Sequence, residues 1–254
     1  MDGGDDVLSV LGEVAVATRR VLDGLADWGP AGTAKASQYF SDLAADEVAL
    51  EMLGNAGFGV LSEESGLHHG DREILVVLDP VDGSTNASRG IPWFATSLCA
   101  LDESGPLAAL VVNQATGTSY SAVRGQGARR DGHPIRAAST SVLAKAIVGV
   151  AGYPAQHLGW RQYRALGAAA LDLCAVAEGA LDAYVDCSRD AHGPWDYLGG
   201  LLVCQEAGAV VVDAAGRDLV TRGHDDRRTP CGAVTEELLQ QVLDARSAGP
   251  GKIG

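Results

Sequence analysis

The apolar run Ile74-Leu-Val-Val-Leu78 passes without a spacer into Asp79-Pro-Val-Asp-Gly-Ser-Thr-Asn86. Five consecutive branched aliphatic residues predict a buried strand. Ending that strand on Asp79 sets a carboxylate at its C-terminal edge, where α/β proteins place their ligands. Pro80 fixes φ and stiffens the turn. Asp82 returns a second carboxylate to the same side, and Gly83 permits close backbone approach. Ser84 and Thr85 can then open a helical turn whose free N–H groups suit a phosphate. A plain Asp-Gly turn would account for Asp82 and Gly83, but it leaves Asp79 without a reason.

The segments around this run alternate in kind. Val7, Leu11, Val14, Val21 and Leu25 recur at helical spacing and predict a helix from Asp6 to Leu25. After a connection at Gly29-Pro-Ala-Gly-Thr33, a second helix starts near Ser41-Asp42 with good N-cap chemistry. It turns Leu43, Leu50 and Leu53 inward and stops at Gly54-Asn-Ala-Gly57. Strand-like runs follow at Gly59–Leu61, Ala95–Leu101, Leu107–Val112 and Ser119–Val123. Beyond Ser141 the pattern becomes strand Ala146–Val150, helix Ala168–Glu178, strand Ala183–Asp186, helix Pro194–Ala207, strand Val210–Val212, strand Cys231–Val234 and helix Glu236–Ala245. The reading is a layered α/β protein with an α+β half over residues 1–140, an α/β half over 141–247, and a flexible tail at 248–254.

Two further acidic sites accompany Asp79 and Asp82. Ser62-Glu-Glu-Ser-Gly66 leaves a short strand and, taken alone, reads as a solvated turn. Asp196, in Gly193-Pro-Trp-Asp-Tyr197, opens a helix and, taken alone, reads as a first-turn carboxylate. Together the three sites supply Glu63, Asp79, Asp82, Asp196 and the Ser84 hydroxyl. Magnesium prefers such hard oxygen ligands. Paired ions can activate a water and stabilise the leaving oxygen in phosphoryl chemistry.

Charge narrows the partners. With 33 acidic against 19 basic residues the net charge is −14, which argues against polyanionic nucleic acid or an anionic membrane surface. No apolar run reaches the roughly 20 residues of a membrane span, and the acidic start Met1-Asp-Gly-Gly-Asp-Asp6 is unlike a signal peptide. The five scattered cysteines support neither a disulfide framework nor a zinc site, and they read as reduced thiols of a cytoplasmic protein.

Ser62-Glu-Glu-Ser65, Asp79-Pro-Val-Asp-Gly-Ser-Thr-Asn86, and Trp195-Asp-Tyr-Leu-Gly-Gly200 leading to Glu206-Ala-Gly-Ala209 resemble, in order, the motifs of the inositol monophosphatase family. Its motifs are Gly-Glu-Glu-Ser, Asp-Pro-Ile-Asp-Gly-Thr-x-Asn, and Trp-Asp-x-Ala-Ala-Gly before Glu-Ala-Gly-Gly. Gly125-Gln-Gly-Ala128 and Leu166-Gly-Ala-Ala-Ala-Leu-Asp-Leu173 add to the match. The resemblance implies an alternating α/β sandwich, often a homodimer, that hydrolyses a small phosphate ester with two or three Mg²⁺ ions and is sensitive to lithium. It implies that Glu63, Asp79 and the Val81 carbonyl hold one metal; that Asp79, Asp82 and Asp196 hold a second; and that Glu63, with Asp42 through water, supports a third. Glu63 and Ser84 would position the attacking water, with the Gly83-Ser84 N–H groups on the phosphate.

The chain also departs from the family's pattern. Ser84 stands for threonine and keeps the hydroxyl, Ser62 stands for glycine, and Ala168 lacks a hydroxyl that members often carry. Asp186 falls near the family's acidic substrate contact, just before the long segment Cys187-Ser-Arg-Asp-Ala-His-Gly-Pro194 that holds Arg189. Asp186 favours a substrate hydroxyl, whereas Arg189 could take a distal phosphate. Inositol-1-phosphate or a similar polyol or sugar monophosphate ranks first. Fructose-1,6-bisphosphate, histidinol phosphate and 3′-phosphoadenosine 5′-phosphate follow, with a non-enzymatic regulatory protein as the alternative class. His68-His69 reads as a solvated loop, and Arg129-Arg130 as a solvated hairpin.

Overall fold

A computed structural model describes residues 3–25, 28–29 and 39–248. The connection at residues 30–33 and the tail at 249–254 lie outside the described residues. In chain order the elements are α1 (Gly3–Gly24), α2 (Phe40–Asn55), β1 (Gly59–Ser62), β2 (Gly66–His68), β3 (Leu75–Asp82), α3 (Ser84–Ser88), β4 (Ala95–Asp102), β5 (Gly105–Asn113), β6 (Ser119–Val123), β7 (Ala128–Arg130) and β8 (His133–Pro134). The second set comprises β9 (Ile147–Ala151), β10 (Gln162–Arg164), α4 (Ala169–Ala177), β11 (Ala183–Asp186), α5 (Pro194–Ala207), β12 (Val210–Asp213), β13 (Pro230–Ala233) and α6 (Glu236–Ser247).

β3 is wholly buried from Leu75 to Val81, as its apolar run requires. It lies third in an eight-stranded sheet of order β2-β1-β3-β4-β5-β6-β7-β8. Only the β1–β3 pair runs parallel; the other neighbours are antiparallel. The second sheet, β10-β9-β11-β13-β12, is parallel across β10, β9 and β11 and antiparallel beyond. α1 and α2 cover one face of the large sheet, α4 and α5 fill the space between the two sheets, and α6 closes the far side. The result is a mixed α/β sandwich of alternating helix and sheet layers, with the largest apolar cluster between the sheets.

The close helix layer depends on small residues. A Cβ added at Gly199 would lie 2.8 Å from Ser97 Oγ, and one at Gly200 only 2.6 Å from Leu173 Cβ, so α5 can approach β4 and α4 only as glycine. That approach brings the first turn of α5, with Asp196, to the end of β3.

Several local expectations are corrected. α1 begins at Gly3, and its inner stripe ends on Leu22 rather than Val21. α2 is capped by Tyr39, with no side-chain cap, and its buried face is Ser41, Asp42, Ala45, Asp46, Ala49 and Leu53. Leu43 and Leu50 are half-buried, because small and acidic side chains face the sheet. The chain at His68 is strand β2 rather than loop, and His68 Nε2 lies 3.0 Å from Ser65 Oγ. Arg129 and Arg130 do form an exposed hairpin, in which Arg130 pairs with Glu178.

Candidate active site

Asp79 and Asp82 are three residues apart, so in a regular strand they would face opposite sides of the sheet. The ladder to β4 pairs Asp79 with Ser97 but Asp82 with Ala95, three residues against two. This bulge turns both carboxylates to one side. The turn is braced from within: Asp79 Oδ1 accepts the Val81 N–H at 2.9 Å, and Thr96 Oγ1 donates to the Pro80 carbonyl at 2.8 Å. Gly83 follows at φ +90, where an added Cβ would meet Trp93 O at 3.1 Å and Ala168 Cβ at 3.2 Å. It caps the short helix α3 that Ser84 opens.

The three acidic segments meet here. One carboxylate oxygen from each of Glu63, Asp79 and Asp196 lies within 4.8 Å of the others. Glu63 is held by the Leu78 carbonyl, which accepts its N–H at 3.1 Å, and His224 Nε2 lies 3.0 Å from its carbonyl. Asp196 Oδ2 accepts the Gly193 N–H at 2.8 Å, so its cap-like bond and its place in the cluster coexist. Asp82 stands beside this trio with Oδ2 accepting the Ala170 N–H at 2.8 Å. The Ser84 hydroxyl donates to the Val81 carbonyl at 2.8 Å, and it lies near enough to Asp42 to oppose the rise in that group's pKa. Asp42 is buried and accepts from Ser41 Oγ at 2.9 Å.

Burial lifts the pKa values of the acid groups, those of Glu63, Asp79 and Asp82 well above the usual carboxylate range. Glu63 and Asp79 are raised first by burial and then by their acidic neighbours. Asp82 is raised by burial and by Asp196 against the Ala170 N–H. Asp196 is raised by burial against the opposing pull of His192. Asp42 is pushed up to about 7 by burial, against the hydrogen bond from Ser41 and the nearby Ser84 hydroxyl. Among the described residues no Lys or Arg forms an ion pair with any of these five carboxylates. Converging hard oxygens with raised pKa values and no cation of their own fit a divalent ion such as Mg²⁺. The site also holds the Val81 carbonyl that the resemblance implies as a ligand.

The cluster opens through Asp82 and Asp196 into a cavity of about 490 Å³, walled also by Tyr153, Ala168, Asp172, Tyr184 and His192. Two expected substrate contacts are displaced from it. Asp186 is fully buried, its Oδ2 lying 2.9 Å from His192 Nδ1 and its Oδ1 accepting the Ser188 N–H. The loop after β11 folds His192 back over the carboxylate. Arg189 is 94% exposed beside Asp190 and does not line the cavity. Asp172, Tyr184 and His192 were not singled out in the sequence. The one available signal was the Gly167–Leu173 stretch, which carries Asp172.

A model of the inositol monophosphatase family matches residues 42–248. The chain belongs to the inositol monophosphatase family. Over 207 residues, 80% of each chain, it is 33% identical to a fructose-1,6-bisphosphatase of Pyrococcus furiosus. It is 35% identical to an inositol-1-monophosphatase of Mesorhizobium japonicum over 205 residues, covering 72% of this chain and 74% of that one. A solved structure from Pyrococcus horikoshii, described as a hypothetical protein with similarities to inositol-1 monophosphatase, superposes with a TM-score of 0.83 at 28% identity. It covers 94% of this chain and 98% of its own. Membership makes the chain a phosphatase, a phosphoric monoester hydrolase. No helix of the described residues is long and apolar enough to cross a membrane.

Proposed function

We propose that the chain hydrolyses a small polyol or sugar phosphate, with an inositol-1-phosphate-like monoester preferred over fructose-1,6-bisphosphate. The observation that carries this reading is a carboxylate cluster opening into a cavity whose wall, among the described residues, has no Lys or Arg. A second phosphate calls for such a cation, whereas hydroxyls are met by carboxylate, imidazole and phenol. Glu63, Asp79 and the Val81 carbonyl would hold one Mg²⁺, Asp79, Asp82 and Asp196 a second, and Glu63 with Asp42 a third. When bound, the ions supply the positive charge that offsets the phosphate and lowers the pKa of water.

In this reading Glu63 and Ser84 orient the attacking water in line with the ester. The Gly83 and Ser84 N–H groups take a phosphate oxygen, which the positive φ of Gly83 favours. The bridge from Ser84 to Val81 must then open or be shared. Inhibition by Li⁺ and a homodimer, which rest on the family resemblance, and a cytoplasmic location, which rests on the scattered unpaired cysteines, complete the reading. The bisphosphate remains the second substrate because the Pyrococcus furiosus relative is named a fructose-1,6-bisphosphatase.

Phosphate release from a panel of inositol-1-phosphate, fructose-1,6-bisphosphate, histidinol phosphate and 3′-phosphoadenosine 5′-phosphate, with Mg²⁺ or EDTA, tests this. The expected result is Mg²⁺-dependent release that EDTA abolishes, with the highest kcat/KM for inositol-1-phosphate. A bisphosphate as best substrate overturns the ranking, and release that persists in EDTA overturns the metal reading.

A further inference from the structure

Besides the phenols of Tyr153 and Tyr184, two polar side chains on the cavity wall lie outside the carboxylate cluster: Asp172 on α4 and His192 in the loop before α5. Asp172 is buried, and its Oδ1 accepts the indole N–H of Trp93 at 2.9 Å. Among the described residues nothing hydrogen-bonds its Oδ2. His192 is held through Nδ1 by Asp186 Oδ2 at 2.9 Å, so Nε2 is the polar atom it has left, 3.4 Å from the Tyr184 hydroxyl. Among the described residues His192 is also the only wall residue able to carry positive charge.

The support beneath His192 is extensive. Asp186 Oδ1 is fixed by the Ser188 N–H at 2.8 Å. Arg246, sixty residues on in α6, donates through Nε to the Asp186 carbonyl at 2.7 Å and through a terminal nitrogen to the Ser188 carbonyl at 2.6 Å. A bidentate guanidinium on two loop carbonyls leaves that loop little freedom. It spends an arginine, in a chain with only 19 basic residues, on aiming one imidazole.

With the phosphate at the Asp82–Asp196 end, the alcohol portion of the ester occupies the rest of the cavity. Each hydroxyl both donates and accepts, so a carboxyl group beside an imidazole nitrogen suits a carbon skeleton bearing several of them. We propose that Asp172 and His192 are the residues that read the polyhydroxylated leaving group, and that Asp186 and Arg246 are positioning residues that aim His192. The acidic contact that the resemblance implied at Asp186 is thereby passed to the imidazole covering it. The inference rests on the phosphatase reading above and adds which atoms select the alcohol.

The test compares inositol-1-phosphate with 4-nitrophenyl phosphate, which has no hydroxyls, at saturating Mg²⁺. The readout is the ratio of their kcat/KM values, with the fold checked by circular dichroism. Asp172→Asn keeps an acceptor for Trp93, and His192→Gln keeps a polar tip. Each is expected to lower the ratio about tenfold, the scale of one hydrogen bond to a substrate hydroxyl, chiefly through KM for the polyol ester. Arg246→Ala is expected to lower it three- to fivefold, with partial recovery in Arg246→Lys. A ratio unchanged in both Asp172→Asn and His192→Gln refutes recognition by this pair. Equal losses on the two substrates in Arg246→Ala refute positioning and leave only a structural role. Failure of the natural chain to hydrolyse either ester sinks the functional reading itself.

Discussion

Metal-free protein should lose stability as pH rises, and divalent metal should restore it. Glu63, Asp79 and Asp196 bring carboxylate oxygens within 4.8 Å. At that distance and an effective dielectric of 20, two ionised carboxylates repel by about 3.5 kcal/mol, so three pairs approach about 10 kcal/mol. That is comparable with the whole stability of a domain, about 5–15 kcal/mol. The folded protein therefore holds protons that the unfolded chain releases near pH 4. Its raised carboxyl pKa values mean that ν for the native state exceeds ν for the unfolded state above that pH. Unfolding free energy must then fall as pH climbs from about 4 through the raised values.

A metal ion removes the cause. One ion at 100 times its Kd contributes about 2.7 kcal/mol, or roughly 5–10 °C in Tm for a domain of this size. Differential scanning calorimetry at pH 5.5 and pH 8, in EDTA or millimolar Mg²⁺, reads both effects. The expected result is a lower Tm at pH 8 in EDTA and a larger Mg²⁺ gain at pH 8 than at pH 5.5. A Tm insensitive to chelator at both pH values, or a Mg²⁺ gain larger at pH 5.5, refutes the argument that these carboxylates are mutually strained.

Asp82→Asn keeps an oxygen for the Ala170 N–H but removes a ligand charge, so kcat should drop about 10²-fold or more with a native circular dichroism spectrum; near-normal turnover at saturating Mg²⁺ removes Asp82 from the mechanism. Ser84→Ala should be milder, about 10-fold in kcat, because the carboxylates remain; a loss as deep as that of Asp82→Asn would give Ser84 a larger role. Gly83→Ala forces a Cβ against Trp93 O and Ala168 at positive φ, and should lower Tm by several degrees while disabling the turn; an unchanged melt would mean that the turn relaxes freely. Arg189→Ala should leave kcat/KM for every panel ester within about twofold, since the side chain lies off the cavity; selective loss on a bisphosphate would place it in the site.

Much of this site was legible along the chain because its carboxylates sit in short, self-describing segments. An apolar run stopping on Asp79 announces a strand end, and Asp79-Pro-Val-Asp-Gly-Ser carries its own turn chemistry, so β3, the carboxylates and α3 could all be read locally. Trp195-Asp announces a helix start in the same way. Period alone could not assign the face of α2, because the side chains it buries include Asp42 and Asp46, which solvent-transfer preferences place outside. The substrate side was decided only by tertiary structure. Asp186 looks like an available acid in the sequence. It is buried because His192, six residues on, folds back over it, and because Arg246, from the last helix, pins the loop between them. Asp172 lines the cavity with its Oδ1 held by the indole N–H of Trp93, 79 residues earlier, a contact between distant segments that no local pattern encodes. Local chain chemistry thus determined which groups could bind metal. The packing of segments far apart in sequence decided which of the remaining polar groups face the substrate.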